Sequence, residues 1–257
     1  MSEAWADFLK AVDRERKGLA FEEGEDCFFR GHRESAWSLL PTLLRHSRDS
    51  GLTTAEDIRA LEASLYFEFR SRARELHDQA LSQWDILFSM RHHGLATRLL
   101  DWTGVLGVAV FFALREVTDE STPCVWLLNP YALNEISWEE RDLVAPEYLP
   151  QGDYEFSDYL VNCSDDAGFD WNEPVAIYPL QRNARQHAQR GFFTIHGEDL
   201  RAIDELDARS FLRRVVLPKE AWADAVTFLE NAGIDEFLMF PDLDGLARHL
   251  HATHGIR

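Results

Sequence analysis

Three stretches of the chain gather residues able to do chemistry. The first is CysPhePheArgGly at 27–31, where Arg30 ends a short apolar run and precedes Gly31. That order places a guanidinium at a strand end, and a neighbour without a side chain lets a ligand approach the backbone. The competing reading is a structural ion pair, since a buried Arg needs a partner and Asp101 is available. The second stretch, 91–103, crowds His92, His93, Thr97, Arg98, Asp101 and Trp102 into thirteen residues. Polar groups packed so densely beside an apolar wall bind each other or a ligand. We expect Arg98 and Asp101 to hold the site together as a buried pair. Adjacent imidazoles diverge on any regular backbone, so His92 and His93 do not suit a shared metal. The third stretch, 182–196, sets Gln189 just before a strand, with Arg185 and Arg190 nearby and Gly191 leaving room. A polar loop capping that strand is the alternative. HisLeuHisAlaThrHis at 249–254 resembles a metal tract in composition but lacks acidic or thiolate partners, so no metal is expected.

The elements that must carry these residues are legible in the hydrophobic pattern. Trp5, Phe8, Leu9 and Val12 recur at helical spacing and predict a first helix ending near Gly18. Residues 27–31 read as a strand, and Pro41 opens a turn or short helix through Leu44. Thr54 to Leu76 predicts a helix with Ile58, Leu61, Leu65 and Phe69 on one face. Another helix around Trp84 to Phe88 stops before Gly94. Val105 to Leu114 is apolar nearly all round, as in a buried helix. Strands are predicted at 125–128, 175–178, 190–196 and 211–217, the last stopped by Pro218. Helices follow at Trp222 to Leu229, closed by Gly233, and around Leu246 to Leu250. Strands and helices do not alternate regularly, which points to an α+β fold with a mixed β-sheet core and flanking helices. The motifs of P-loop, dinucleotide-fold, zinc-protease and serine-hydrolase sites do not occur.

The composition sets outer limits. The chain has 257 residues, 46% of them hydrophobic, enough to build a packed core. Its formal net charge of −19 repels phosphate backbones and disfavours a general nucleic-acid binder, although a local basic cleft remains open to it. From Glu116 to Glu173 fifteen acidic residues face one basic residue, Arg141, so about 116–173 reads as an acidic elaboration of a more neutral core. It is a solvated face or a docking face for a basic partner. No apolar run suits a membrane span or a leader, and the expectation is a cytoplasmic protein without a membrane partner. Three separate cysteines supply no disulfide framework.

The three clusters, in this order, resemble the FRG domain family, named for the PheArgGly that stands here at Phe29 to Gly31. The likeness continues at 37–45, 92–103, 109–113, 185–196 and 233–246. Arg91 stands where the family usually has Gln, Ala96 where it has Pro, and Val105 and Leu106 where it has AsnPro. The resemblance implies one FRG-type domain over the chain, with a C-terminal strand-helix region at about 210–254. It also implies a bacterial defence or toxin setting, with an antitoxin or defence partner. A weaker similarity links the chain to ADP-ribosyltransferases of the arginine-serine-glutamate type. That similarity implies an ADP-ribosyltransferase-like fold in which Arg30, with Gly31, grips NAD, the co-substrate. Thr97, His92, Arg98 and Asp101 would line the cofactor pocket, and Gln189 would stand at the catalytic Glu position. A neutral amide cannot stabilise the cationic centre as a carboxylate does, so Glu198 or Asp101 would have to serve. The acceptor would be a nucleic acid or a protein. A non-catalytic ligand- or partner-binding domain and a nucleic-acid-acting enzyme are the alternatives.

Overall fold

A computed structural model describes residues 2–73, 82–145, 172–179, 190–207 and 210–255. Its centre is a six-stranded sheet made of β1 (Phe28–His32), β2 (Leu99–Thr103), β3 (Cys124–Leu128), β4 (Val175–Ile177), β5 (Gly191–Ile195) and β6 (Leu212–Val216). The strand order is β4-β5-β2-β1-β3-β6. Every ladder in it is antiparallel, and the parallel contact among the described residues is the isolated bridge Val144 to Ile177. The α+β class therefore stands, while the mixed sheet is corrected to an antiparallel one. A parallel neighbour requires a crossover that returns the chain in the same direction. Here the long excursions, such as 33–98 between β1 and β2, instead return it reversed.

The helices are α1 (Glu3–Lys17), α2 (Thr42–Ser50), α3 (Ala55–Ala73), α4 (Gln83–His92), α5 (Leu106–Leu114), α6 (Pro130–Trp138), α7 (Trp222–Asn231), α8 (Glu236–Met239) and α9 (Leu243–Thr253). Ser2 caps α1 by accepting from the Trp5 amide, and Arg14, Arg16 and Lys17 complement the dipole at its other end. Trp5, Phe8 and Val12 pack with Val215, Ala225 and Leu229 in one cluster, against α5 and the sheet. The other face of the central strands contributes Phe28, Leu100, Trp102, Trp126 and Phe192 to a second cluster with Leu133 of α6. A third joins Trp84, Leu87 and Phe88 of α4 to Leu99, Phe193 and Ile195.

Helix α3 buries Ile58, Glu62, Tyr66 and Ala73, and Leu61, Leu65 and Phe69 of the expected face pack against the core beside them, so the inward face is the expected one, widened by Glu62 and Tyr66. The acidic stretch is not a simple insertion. It contains β3, whose five residues are all buried between β1 and β6, and α6, whose Asn134 side chain bonds the backbone of Ala176 in β4. Apolar Cys124–Leu128 sits in the sheet whatever the charge around it. Residues 146–171, which hold much of that charge, lie outside the described residues.

Candidate functional site

The ladder between β1 and β2 consists of one pair, Phe29 with Thr103, whereas β1 pairs with β3 over five positions. Beyond that pair the Arg30 side chain bridges the two strands. Its Nη1 donates to the Asp101 carbonyl at 2.5 Å and its Nε donates to His32 Nε2 at 2.9 Å. Around this junction lies a cavity of about 430 Å³. Five arginines line it, Arg30, Arg33, Arg45, Arg91 and Arg115, against two carboxylates, Asp101 and Glu116. Its apolar walls include Trp37, Phe88, Phe112, Phe192 and Phe193.

The charges are not independent. Asp101 Oδ2 accepts from Arg91 Nε at 2.8 Å and also from Arg91 Nη2, while Arg30 Nη1 lies 3.9 Å from the same oxygen. Burial, offset in part by Asp101, pulls the Arg30 guanidinium down to about 10, still charged at neutral pH. His32 is pushed down to about 3, chiefly by burial and then by the Arg30 charge, so its ring is neutral and accepts from Arg30. The Asp101 charge holds the Arg91 guanidinium above its ordinary value. At the rim, Arg33 faces Glu116 at 3.6 Å and Arg115 bonds Glu236 at 2.9 Å.

Arg30, Gly31, His92 and Asp101 of the expected site thus meet in one cavity. Thr97 and Arg98 do not line it. Both are fully buried, and Arg98 is corrected from a partner of Asp101 to a partner of Glu62. Its Nε donates to Glu62 Oε2 at 2.5 Å and its Nη1 to the His196 carbonyl at 2.8 Å. Residues 98 and 101 are an odd number of positions apart along an extended segment, which sends their side chains to opposite faces of the sheet. Residues Leu99–Thr103 of this stretch form strand β2. Glu198 is half-buried and outside the cavity lining, and Gln189 lies outside the described residues. Gly31 is in the lining, but its missing side chain serves α5. A Cβ there would stand 1.9 Å from the Ala109 carbonyl oxygen and 2.6 Å from the Ala113 nitrogen. Gly191, also in the lining, does have open space, with no atom within 4 Å of a Cβ.

Sequence reasoning passed over Arg45, His32 and Trp37. His32 could have been found from strand alternation, two residues after Arg30 and on the same face. Arg45 is three residues beyond Thr42 on α2, a spacing that looks like an ordinary solvated helix face. Among the described residues no group of three or more His, Cys, Asp or Glu is placed to hold a metal ion. No helix among them is long and apolar enough to cross a membrane.

Fold and site together define an α+β protein whose antiparallel sheet opens, between β1 and β2, into an arginine-rich cavity with aromatic walls. Residues 25–122 match the family model described as FRG domain. The matched span includes Arg30, Arg45, Arg91 and Asp101 but ends before β3 and β5. No curated protein and no solved structure matches the chain.

Proposed function

We propose that the cavity binds a nucleotide carrying a diphosphate, with NAD as the co-substrate. On this reading the chain acts as an ADP-ribosyltransferase-like toxin or defence effector on a macromolecular acceptor. One observation carries the reading: a protein of net charge −19 lines its cavity with five arginines against two carboxylates. Such a cavity attracts anions, and guanidinium forks match phosphate oxygens. The aromatic walls suit the planar rings of a dinucleotide. Cleavage of the nicotinamide bond develops positive charge at the ribose, which a nearby carboxylate stabilises. Asp101, in the cavity and 42% exposed at its side chain, is the residue we assign to that role in place of Glu198.

A second reading, a non-catalytic ligand-binding domain, is favoured by one specific feature. Both carboxylates of the cavity are already engaged by arginines, Asp101 by Arg91 and Glu116 by Arg33. Labelled NAD with cell lysate as acceptor separates the two. Transfer of label by the wild-type protein, lost in Arg30→Ala at unchanged thermal unfolding, supports the transferase. NAD-induced stabilisation without transfer supports the binding domain. Neither label nor stabilisation by NAD overturns both as NAD readings.

A further inference from the structure

We propose that Arg45 is the ligand-facing cation of the cavity and that it clamps a phosphate or pyrophosphate group together with Arg30 and Arg91. The inference rests on the cavity being the ligand site argued above, and it names the chemistry held there and the side chain that holds it.

Arg30 has largely spent its donors on the protein itself. Nε is given to His32 and Nη1 to the Asp101 carbonyl, leaving Nη2 without a hydrogen bond among the described residues. Arg91 is given to Asp101 through Nε and Nη2, and its Nη1 goes to Thr42 Oγ1 at 3.1 Å. Arg45 differs from both. It is exposed and lines the cavity, and its hydrogen bond among the described residues is one from Nη2 to the same Thr42 Oγ1, at 3.0 Å. No carboxylate among the described residues stands within ion-pair distance of it.

One hydroxyl oxygen therefore receives two guanidinium groups, and one carboxylate serves Arg91 directly and Arg30 at longer range. Three cations held this close repel one another, and partial desolvation by the cavity walls, then the charge of Arg91, lowers the Arg45 pKa from its ordinary value, with Asp101 opposing. An anion with several acceptor oxygens relieves the repulsion and accepts from the donors left over. A tetrahedral phosphate offers oxygens to guanidinium forks arriving from different directions, which a planar carboxylate does less well. The aromatic walls beside the arginines then suit a phosphate that carries a ring system.

Isothermal titration of the full chain with inorganic pyrophosphate, NAD and adenosine tests this, on the wild type, Arg45→Gln and Arg45→Lys. Wild type is expected to bind pyrophosphate and NAD and not adenosine, with affinity that falls as salt rises. Arg45→Gln should weaken both anions roughly tenfold or more, and Arg45→Lys should recover part of that by keeping the charge without the fork. Circular dichroism melts of the same preparations confirm that the variants fold. Should Arg45→Gln bind NAD as wild type does, the role of Arg45 is overturned and the NAD reading survives. Should wild type bind pyrophosphate but not NAD, with Arg45→Gln losing the former, the clamp stands and the NAD reading falls. Absence of pyrophosphate binding to wild type overturns the clamp.

Discussion

Gly31→Ala separates two explanations of the glycine that follows Arg30: room for a ligand, or room for a helix. The added Cβ would meet the Ala109 carbonyl oxygen at 1.9 Å and the Ala113 amide nitrogen at 2.6 Å, both backbone atoms of α5. Restoring ordinary contact, about 3.4 Å, requires the helix to move by about 1.5 Å. Val108, Ala109, Val110 and Ala113 of α5 are all buried, so such a shift opens gaps on the helix's other sides. Overpacking against side chains costs about 1 to 3 kcal/mol, and a clash with backbone belongs at or above the upper end. For a chain of this size about 3 kcal/mol lowers the melting temperature by roughly 6 to 12 °C. Thermal unfolding by circular dichroism reads the shift, with Gly191→Ala as the matched control, since a Cβ there meets nothing within 4 Å. If Gly31→Ala melted like wild type while losing pyrophosphate binding, the helix-packing argument would be refuted and the glycine returned to the ligand.

Three further outcomes follow from the described contacts. Glu62→Gln leaves the fully buried Arg98 charge without its carboxylate and should cost about 3 to 5 kcal/mol in urea unfolding; a loss below about 1 kcal/mol would contradict the pair's role. His32 and His196 are both pushed down to about 3 by burial, from 6.5. The unfolded chain therefore binds the extra protons, and stability is full above about pH 6.5 and declines toward pH 3, by at most roughly 1.4 kcal/mol per pH unit for each ring. Urea midpoints between pH 7 and 4 should show that decline, and His32→Gln should flatten it; an unchanged slope would remove His32 from the account. Asn129→Ala removes the acceptor that caps α6 at the Tyr131 and Ala132 amides and the donor to the Leu19 carbonyl. A loss of about 2 kcal/mol in chemical denaturation is expected, and an unchanged midpoint would show that water replaces both.

Much of the secondary structure was legible because its signals are local. The apolar runs at 125–128, 175–178 and 211–217 hold strands β3, β4 and β6, and Leu106–Leu114 is the buried helix its composition announces. Strand order was not legible, since a ladder such as β2 with β5 joins segments about ninety residues apart and leaves no local trace. The site was read in part. Arg30 and Asp101 announce themselves as polar residues inside apolar strands, and they do meet. The partner of Arg98 was hidden on another element, although Glu62 keeps the spacing of Ile58 and Tyr66 and so stands on the inward stripe of α3. An acid on a buried stripe is the signal that would have found it. Arg45 left no such signal, because an Arg on a helix surface acquires meaning only from what folds opposite it.

The single pair joining β1 to β2 bears on how the chain can be cut. The recognisable family stretch ends at residue 122, two positions before β3 begins, and the long ladders of β1 and β2 run to β3 and β5, both outside it. Excised by itself, that stretch would hold two strands tied at one position, each with its principal hydrogen-bonding edge bare and open to pairing with another chain. The cavity would lose Phe192 and Phe193 as well. The stretch by which the family is recognised is therefore not a portable module, and any graft or truncation meant to keep the arginine cavity must carry the sheet through β6.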